Sequence, residues 1–347
     1  MRRAKTAVFV AAALLLSACS SSTPSASTAG GAAGSCTYKF AIITHGDNGS
    51  FWSVVYKGAK DAAAATGCTL TEVYGSQQQG QAQPDDNAEN AQIQNAINQK
   101  VDGIAVSDHS PNLMNPTIAQ AVAAGIPVVL INAGCDDQDI AASKAMTCVG
   151  QPESLAGRQA GARFMAENAN NILCVIHQSG QNLLDRCNGL AQALGTGQTC
   201  STSAAPASGP GCTELTLSTP NAASNPSASA QEVSAYLQAH PGINAIMTLN
   251  NAIAQGVQSI LPSGSTIKLA TFDLNDWDVQ AVKDGKVDFI VDQQQYLQGY
   301  LPVLFLQLYK QHYGASVGGG TTVATGPLLV DKSNVSSVEA AAKAGES

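Results

Sequence analysis

The chain has 347 residues, a formal net charge of −8 and a hydrophobic fraction of 44%. This length exceeds that of a typical single domain and predicts two lobes of roughly 140 residues each, with enough apolar residues for two cores. No run of Lys or Arg follows Lys5 and the net charge is negative, so the sequence argues against a nucleic-acid partner, which requires a basic surface.

The N-terminal segment predicts export. Three basic residues precede an apolar run at 6–16, which is typical of a signal peptide. The run is too short to span a membrane, which takes about 20 residues.

The end of this segment also predicts a lipid anchor. The tetrapeptide Leu-Ser-Ala-Cys at 16–19 resembles the bacterial lipobox. It implies a lipoprotein signal peptide at 1–18 and lipidation of Cys19, so that an extracytoplasmic protein is attached to the bacterial cell membrane through this lipid only. Ordinary secretion with an accidental Cys19 is the alternative. Residues 19–37 are rich in Ser, Thr, Ala and Gly and predict a flexible tether.

Residues 40–67 predict the first strand, loop and helix. An apolar run at 40–44 is followed by Gly, Asp and Asn, and apolar residues then recur at helical spacing over 51–66. The loop falls at the carboxyl end of a predicted parallel strand, where ligands bind in open α/β sheets. Phe51 and Trp52 therefore predict aromatic faces suited to the apolar face of a sugar ring. Packing of both rings in the core is the alternative.

Strands and helices then alternate up to residue 131. Helices of this length between strands predict βαβ units and a parallel sheet. The strand ends bring His45, Asp108 and Asn132 to one edge as candidate ligand contacts. For His45, a hydrogen-bonded loop histidine is an equal alternative. The predicted strands are 69–74, 103–106 and 127–131, and the predicted helices are 87–99 and 115–124.

The pattern repeats after a crossover near residues 149–150, which predicts a second α/β lobe. A strand at 289–291 and a helix at 297–313 follow. The predicted strands of this lobe are 172–177, 214–217, 244–249 and 268–272, and its predicted helices are 154–168, 183–194, 228–239 and 252–261.

The sequence does not predict an enzyme. Asp273, Asp276 and Asp278 are expected to share one loop, with no Gly-x-Ser-x-Gly, P-loop or metal-binding spacing nearby. We therefore expect no catalytic residues, no cofactor and no metal.

Several separated motifs carry a resemblance to a known family. Besides Phe51-Trp52 and Lys57-Gly58-Ala59, they are VDGIAVSD (101–108), AAGIPVVLIN (123–132), DRCNG (185–189), AIMTLNN (245–251), LATFDL (269–274) and FIVDQQQYLQGY (289–300). In this order and spacing they resemble the sugar-type, ribose-binding-like periplasmic binding proteins of ABC importers, over roughly residues 38–330.

The resemblance implies an α/β fold of two doubly wound parallel-sheet lobes joined by a three-segment hinge, the type I periplasmic binding protein. In this fold the chain would return to the first lobe with the helix at 297–313 and cross a last time near 322, and the two lobes could close on a ligand. It also implies a monomer that captures a sugar or polyol and delivers it to an ABC permease. The expected lobes are 38–149 with 294–322 and 150–293 with 323–347. A sensory receptor for a sugar-like signal is an alternative that would use the same pocket. A lactose-repressor-type transcription factor would begin with a helix-turn-helix, where the lipobox stands instead.

The same resemblance implies the ligand-binding side chains. Arg186, Asn250, Asp273 and Gln293 match positions that contact sugar in ribose-binding-like proteins, and they would join Phe51, Trp52, Asp108 and Asn132. One departure concerns Asn132 and Ala133, because ribose-binding proteins carry an Asp-Arg pair there. This difference puts ribose in doubt and leaves other pentoses, hexoses, polyols such as inositol and furanosyl signals open.

Eight cysteines remain beyond Cys19, and an even number in an exported chain favours disulfides. Zinc is the rival, although no Cys-x-x-Cys or His-x-x-x-His spacing occurs. Sequence alone does not fix the connectivity. The implied fold places the first two strands side by side, so Cys36 can meet Cys68. We then pair the others with their sequence neighbours, Cys135 with Cys148, Cys174 with Cys187, and Cys200 with Cys212.

Overall fold

The computed structural model describes residues 36–46, 49–73 and 85–347. The predicted signal peptide, Cys19, the tether up to residue 35 and most of the Gln/Gly-rich loop before the second helix lie outside these residues. The described elements, in chain order, are β1 (Lys39–Ile43), α1 (Ser50–Thr66), β2 (Thr69–Val73), α2 (Asp86–Asn98), β3 (Gly103–Val106), α3 (Pro111–Ala123), β4 (Val128–Ile131), α4 (Asp137–Ser143), β5 (Thr147–Gly150), α5 (Glu153–Ala166), β6 (Asn171–Ile176), α6 (Gln181–Leu194), β7 (Gly211–Thr216), α7 (Pro226–Ala239), β8 (Ala245–Thr248), α8 (Asn251–Ile260), β9 (Lys268–Phe272), α9 (Asp276–Asp284), β10 (Phe289–Asp292), α10 (Gln295–Gln311), β11 (Thr322–Ala324), β12 (Leu328–Val330) and α11 (Val335–Ala344).

The strands form two six-stranded sheets with equivalent orders, and these sheets define the first and second lobes. The first sheet has the order β11-β5-β4-β3-β1-β2 and the second β12-β10-β9-β8-β6-β7. All described pairings are parallel except that of β12 with β10. The chain order reverses beside β1 and beside β6. These are the switch points at which ligands bind in open α/β sheets.

Each sheet is covered by helices on both faces, which explains why its inner strands are largely apolar. In the first lobe, α1 and α10 pack with Phe40 and Ile42 on one face, whereas α2 and α3 pack with Ala41 and Ile43 on the other. All four residues of β4 are buried. The second sheet has two cores of the same kind.

Glycines allow α1 and α10 to approach closely. A Cβ atom on Gly58 would lie 2.1 Å from the Tyr296 carbonyl oxygen, and one on Gly299 would lie 1.8 Å from the Val55 carbonyl oxygen. Only residues without a Cβ atom fit at these points. The contact fixes α1, which begins next to the predicted aromatic pair.

The structure adds elements that the sequence did not predict. The segments α4 and β5 precede the first crossover, and β5 is a strand of the first sheet. The interpretation of Asp273, Asp276 and Asp278 as one loop was wrong, because Asp276 and Asp278 lie in α9. Asn275 caps this helix and exchanges hydrogen bonds with Asp278 in a capping box.

Four disulfides are present in the part of the chain that the structure describes, and the four predicted pairings are confirmed. The Cα atoms of Cys36 and Cys68 lie 4.6 Å apart, and those of Cys174 and Cys187 lie 5.8 Å apart. The remaining pairs are Cys135 with Cys148 and Cys200 with Cys212.

Three chain segments connect the lobes, after β5, after β10 and after β11. They are joined by hydrogen bonds, because Thr325 N donates to Gly150 O at 3.0 Å and Thr325 Oγ1 donates to Gln293 O at 2.8 Å. Gln298 Nε2 donates to the same carbonyl at 3.1 Å. None of the helices in the described ranges has the length and apolar character needed to cross a membrane.

Candidate functional site

A cavity of about 260 Å³ lies between the lobes at the carboxyl ends of the strands. It therefore occupies the position at which the sheet topology predicts a ligand. Its lining residues include His45, Ser50, Phe51, Trp52 and Asn132 from the first lobe, and His177, Asn182, Arg186, Asn250, Asp273 and Gln293 from the second.

The predicted aromatic residues form one wall of the cavity. Trp52 is 6% exposed and packs in the core of the first lobe, while Phe51 packs against it with ring centroids 4.9 Å apart in an edge-to-face arrangement. His45 makes a similar edge-to-face contact with Trp52. The predicted ligand-facing position and the alternative of core packing therefore both apply to Trp52, because it packs in the core and also lines the cavity.

A hydrogen-bonded row of amide and carboxyl groups crosses the floor. Asn250 Nδ2 donates to Asp273 Oδ2 at 3.4 Å, and Gln293 Nε2 donates to Asp273 Oδ1 at 2.5 Å. Asn132 Nδ2 then reaches from the first lobe to Gln293 Oε1 at 3.4 Å. Burial raises the pKa of Asp273 to about 6, although Arg186 and Gln293 oppose this shift.

Asn132 and Asp273 occupy equivalent places in the two lobes. Each residue follows a strand, β4 or β9, and each has a left-handed backbone, with φ of 62° and 73°. Asn and Asp adopt this conformation more readily than other residues with a side chain. Both side chains line the cavity between the lobes.

Arg186 is held by a buried carboxylate that the sequence analysis missed. Its Nε and Nη2 atoms donate to the two oxygens of Glu153 at 2.8 Å each, and Nη2 also approaches Gln293 Oε1 at 3.3 Å. The guanidinium stacks 4.4 Å from the centre of the Phe272 ring. Burial disfavours the charge of Arg186, but Glu153 outweighs it and raises the Arg186 pKa.

Two histidines in the lining remain neutral. Burial, with His109, His177 and Arg186 adding to it, lowers the pKa of His45 well below its usual value. Burial and Arg186 lower the pKa of His177 to about 3. His177 was not predicted as a site residue, although its position directly after β6, equivalent to that of Thr44 after β1, was a signal for it.

Asp108 does not reach this cavity. It lies in a second, larger cavity of about 730 Å³ with Asp136, Asp137, Asp139 and Asp185. Burial raises the pKa of Asp108 to about 7, with contributions from Asp139 and Glu89. The structure thus brings His45, Phe51, Trp52, Asn132, Arg186, Asn250, Asp273 and Gln293 together and leaves Asp108 apart.

The lining can hold an uncharged molecule with many hydroxyl groups. Arg186 supplies donors, Asp273 supplies acceptors, and the amides and neutral histidines supply both. Among the residues that the structure describes, no group of three His, Cys, Asp or Glu side chains is placed to hold a metal ion.

Comparison with known proteins agrees with this geometry. The sequence profile of the periplasmic binding protein domain matches residues 40–312. A carbohydrate transporter from Acidothermus cellulolyticus, solved with myo-inositol, is 38% identical, covers 89% of this chain and 99% of its own, and superposes with a TM-score of 0.77. A solute-binding protein from Burkholderia graminis, solved with D-arabinose, is 21% identical with a TM-score of 0.71, covers 87% of this chain and 98% of its own, and supports the fold alone.

A third relative is the xylose/arabinose-binding protein XylF of Sulfolobus acidocaldarius, which is 27% identical over 289 residues. The match covers 79% of this chain but 66% of that protein, which is less than two thirds of its length. The profile match, the 38% identical structure and the two equivalent sheets confirm the predicted resemblance and fold class. The chain belongs to the periplasmic binding protein family.

Proposed function

We propose that the protein captures a sugar or cyclic polyol in the cavity between its lobes and delivers it to an ABC permease. The observation that carries the proposal is the convergence of an aromatic wall and a row of polar side chains from both lobes on one cavity. Family membership itself implies a location outside the cytoplasm. The relative solved with myo-inositol makes a cyclic polyol the first candidate.

The binding mechanism follows from the distribution of the polar groups. Arg186 and Asp273 are buried in the second lobe, and the ligand hydroxyls contact these charged groups first. Closure then brings Trp52, His45 and Asn132 over the ligand. Because closure removes water, each ligand hydroxyl requires a partner from the protein. The ligand contacts stabilise the closed state, which is the form that the permease recognises.

Lipidation of Cys19 would keep this monomeric protein near its permease. The supporting observation is the lipobox-like sequence at 16–19. The Cys19→Ala variant should leave the membrane fraction and keep its ligand affinity. Retention of the variant in the membrane fraction would contradict the anchor.

A panel of sugars and cyclitols, including myo-inositol, arabinose and xylose, tests the binding function by thermal shift and calorimetric titration. A true ligand at a hundred times its Kd should stabilise the protein by about 2.7 kcal/mol.

Trp52→Ala should weaken binding by about 1 to 3 kcal/mol, since it removes stacking and apolar burial. If the ligand binds Trp52→Ala and the parent equally well, the cavity is not the binding site.

An uptake experiment separates transport from sensing. A transported solute should fail to enter cells that lack this protein, whereas a purely sensory ligand should still enter.

A further inference from the structure

His45 is attached to a row of buried polar groups that leads away from the cavity. Its backbone N donates to Ser107 Oγ at 2.8 Å, and its ring Nδ1 lies 2.9 Å from the same oxygen. Ser107 Oγ lies 3.4 Å from Glu89 Oε1. Ser107 and Glu89 are 0% and 1% exposed, so water does not compete for these groups.

The second oxygen of Glu89 is paired with His109. Glu89 Oε2 lies 3.1 Å from His109 Nδ1, and His109 Nε2 lies 2.6 Å from Asp86 Oδ1. Burial disfavours the charged form of His109, but the two flanking carboxylates raise its pKa. Burial raises the pKa of Glu89, while the adjacent His109 and the Ser107 hydroxyl oppose this shift and favour the ionised carboxylate. In the ionised form, Glu89 Oε1 has only lone pairs to offer, and Ser107 Oγ is the donor to it.

This arrangement determines where the hydroxyl proton of Ser107 points. A hydroxyl has one proton and two lone pairs. Because Glu89 Oε1 can only accept, Ser107 donates to it and accepts from both the backbone and the ring of His45. A neutral imidazole carries one N–H, so protonated Nδ1 leaves a lone pair on Nε2.

We propose that Glu89, acting through Ser107, fixes His45 in the Nδ1–H tautomer, so that Nε2 accepts a hydrogen bond from a ligand hydroxyl. Glu89 and Ser107 are positioning residues, and His45 selects the ligand. This inference rests on the proposed function of the cavity. Among the described lining residues, the first lobe contributes no charged side chain. The neutral acceptor Nε2 of His45 therefore determines which ligand groups this lobe prefers.

The chemical consequence is a requirement for a free hydroxyl at one position of the ligand. A sugar or cyclitol with a methyl ether or a ketone at that carbon offers no proton to Nε2. Such an analogue should bind at least tenfold more weakly, since it leaves a buried acceptor unpaired.

Nitrogen-15 NMR of the imidazole groups tests the tautomer without any ligand. We expect a protonated-type signal for His45 Nδ1 and an unprotonated-type signal for Nε2, assigned by their loss in His45→Gln. The reverse pattern in the parent protein would overturn the proposal, whether or not the Ser107 variant folds. This result is independent of the proposed function, which fails separately if no sugar or cyclitol binds.

Two further variants test the role of the relay. Ser107→Ala should lose the fixed tautomer and bind the solute found in the screen about tenfold more weakly. Asp86→Asn removes the outer carboxylate but leaves Glu89 and Ser107 in place, so the tautomer should persist and the affinity should stay within twofold. An unchanged tautomer in Ser107→Ala would show that Ser107 does not transmit the influence of Glu89.

Discussion

Asp273 is the only carboxylate among the described side chains that line the cavity, and its ionisation should control ligand affinity. Burial raises its pKa to about 6. The ionised form accepts hydrogen bonds at both oxygens, whereas protonation turns one oxygen into a donor. Protons therefore compete with the ligand, and the affinity should fall by up to about tenfold per pH unit below pH 6.

Calorimetric titration between pH 8 and pH 5 measures this dependence. Asp273→Asn is the matched control, because Asn tolerates the left-handed backbone of this residue and does not titrate. The variant should bind weakly at every pH. If the ligand affinity of Asp273→Asn still depends steeply on pH, another group is responsible for that dependence.

Asp108 should reduce the stability of the protein at alkaline pH. Its pKa of about 7 exceeds its ordinary value of 3.8, so the folded state binds more protons than the unfolded state between these values. Lowering the pH from 8 to 5 therefore stabilises the folded state through Asp108. Asp108→Asn should melt at a higher temperature than the parent at pH 8, and this advantage should become smaller as the pH falls to 5.

Asp331→Asn is a control for which the expected change in melting temperature at pH 8 has the opposite sign. Hydrogen bonds from Ser333 lower the pKa of Asp331, so its ionised form stabilises the folded state at neutral and alkaline pH. This variant should melt below the parent at pH 8. If Asp108→Asn also melts below the parent at pH 8, the account of Asp108 is wrong.

Asp108 also shows where sequence reasoning about single residues stops. It follows β3 and Asn132 follows β4, so both were expected at one edge of the sheet. However, the Asp108 side chain packs against Gly134 and lies in the second cavity, whereas Asn132 turns toward the hinge. The direction of a side chain after a strand depends on the loop beyond it. Glu153 was missed for a similar reason, because its role appears only when α5 lies beside Arg186.

At the scale of elements, the contact between α1 and α10 should be sensitive to one methyl group. Gly299→Ala would place Cβ 1.8 Å from the Val55 carbonyl oxygen and force the helices apart. We expect a loss of about 1 to 3 kcal/mol, seen as a lower Tm and a lower midpoint in urea. Leu308→Ala is the control, because this side chain on the same helix is exposed and its loss should change the Tm little. Equal Tm values for Gly299→Ala and the parent would contradict the close packing.

The long elements were predictable because their patterns are strong. The inner strands of both sheets are largely apolar runs, and α1, α5, α6 and α10 carry helical periodicity over many residues. By contrast, α4 has only seven residues, too few for a clear helical period, and β5 (TCVG) begins with Thr, ends with Gly and lacks an apolar run. The helix α9 is short as well, but its capping box of Asn275 and Asp278 was a usable signal.

At the scale of the whole molecule, a hydrogen bond joins the lobes outside the polar floor. Ser50 Oγ in α1 donates to Asn251 Oδ1 in α8 at 3.1 Å. Because these helices belong to opposite lobes, the bond exists only while the lobes are closed. Ser50→Ala should therefore release the ligand about 2 to 10 times faster, which corresponds to a typical hydrogen bond of about 0.5 to 1.5 kcal/mol.

Stopped-flow fluorescence can follow this release. Ser53→Ala is the matched control, since Ser53 Oγ bonds to Ser50 O within α1 and not to the other lobe. Equal dissociation rates for Ser50→Ala and Ser53→Ala would show that the contact does not hold the lobes together.

The return of the chain through α10 and β11 also determines the order in which the lobes can be completed. Strands β6 to β10 of the second lobe follow one another along the chain, so five of the six strands of its sheet can assemble as soon as residue 292 is available, and β12 and α11 are added to that lobe later. The first lobe begins earlier, yet the helix that covers its core at Phe40 and the strand that closes its edge are encoded after that point. During synthesis and export, the first lobe therefore emerges early but keeps an uncovered apolar face and an open sheet edge until the chain is available up to residue 324.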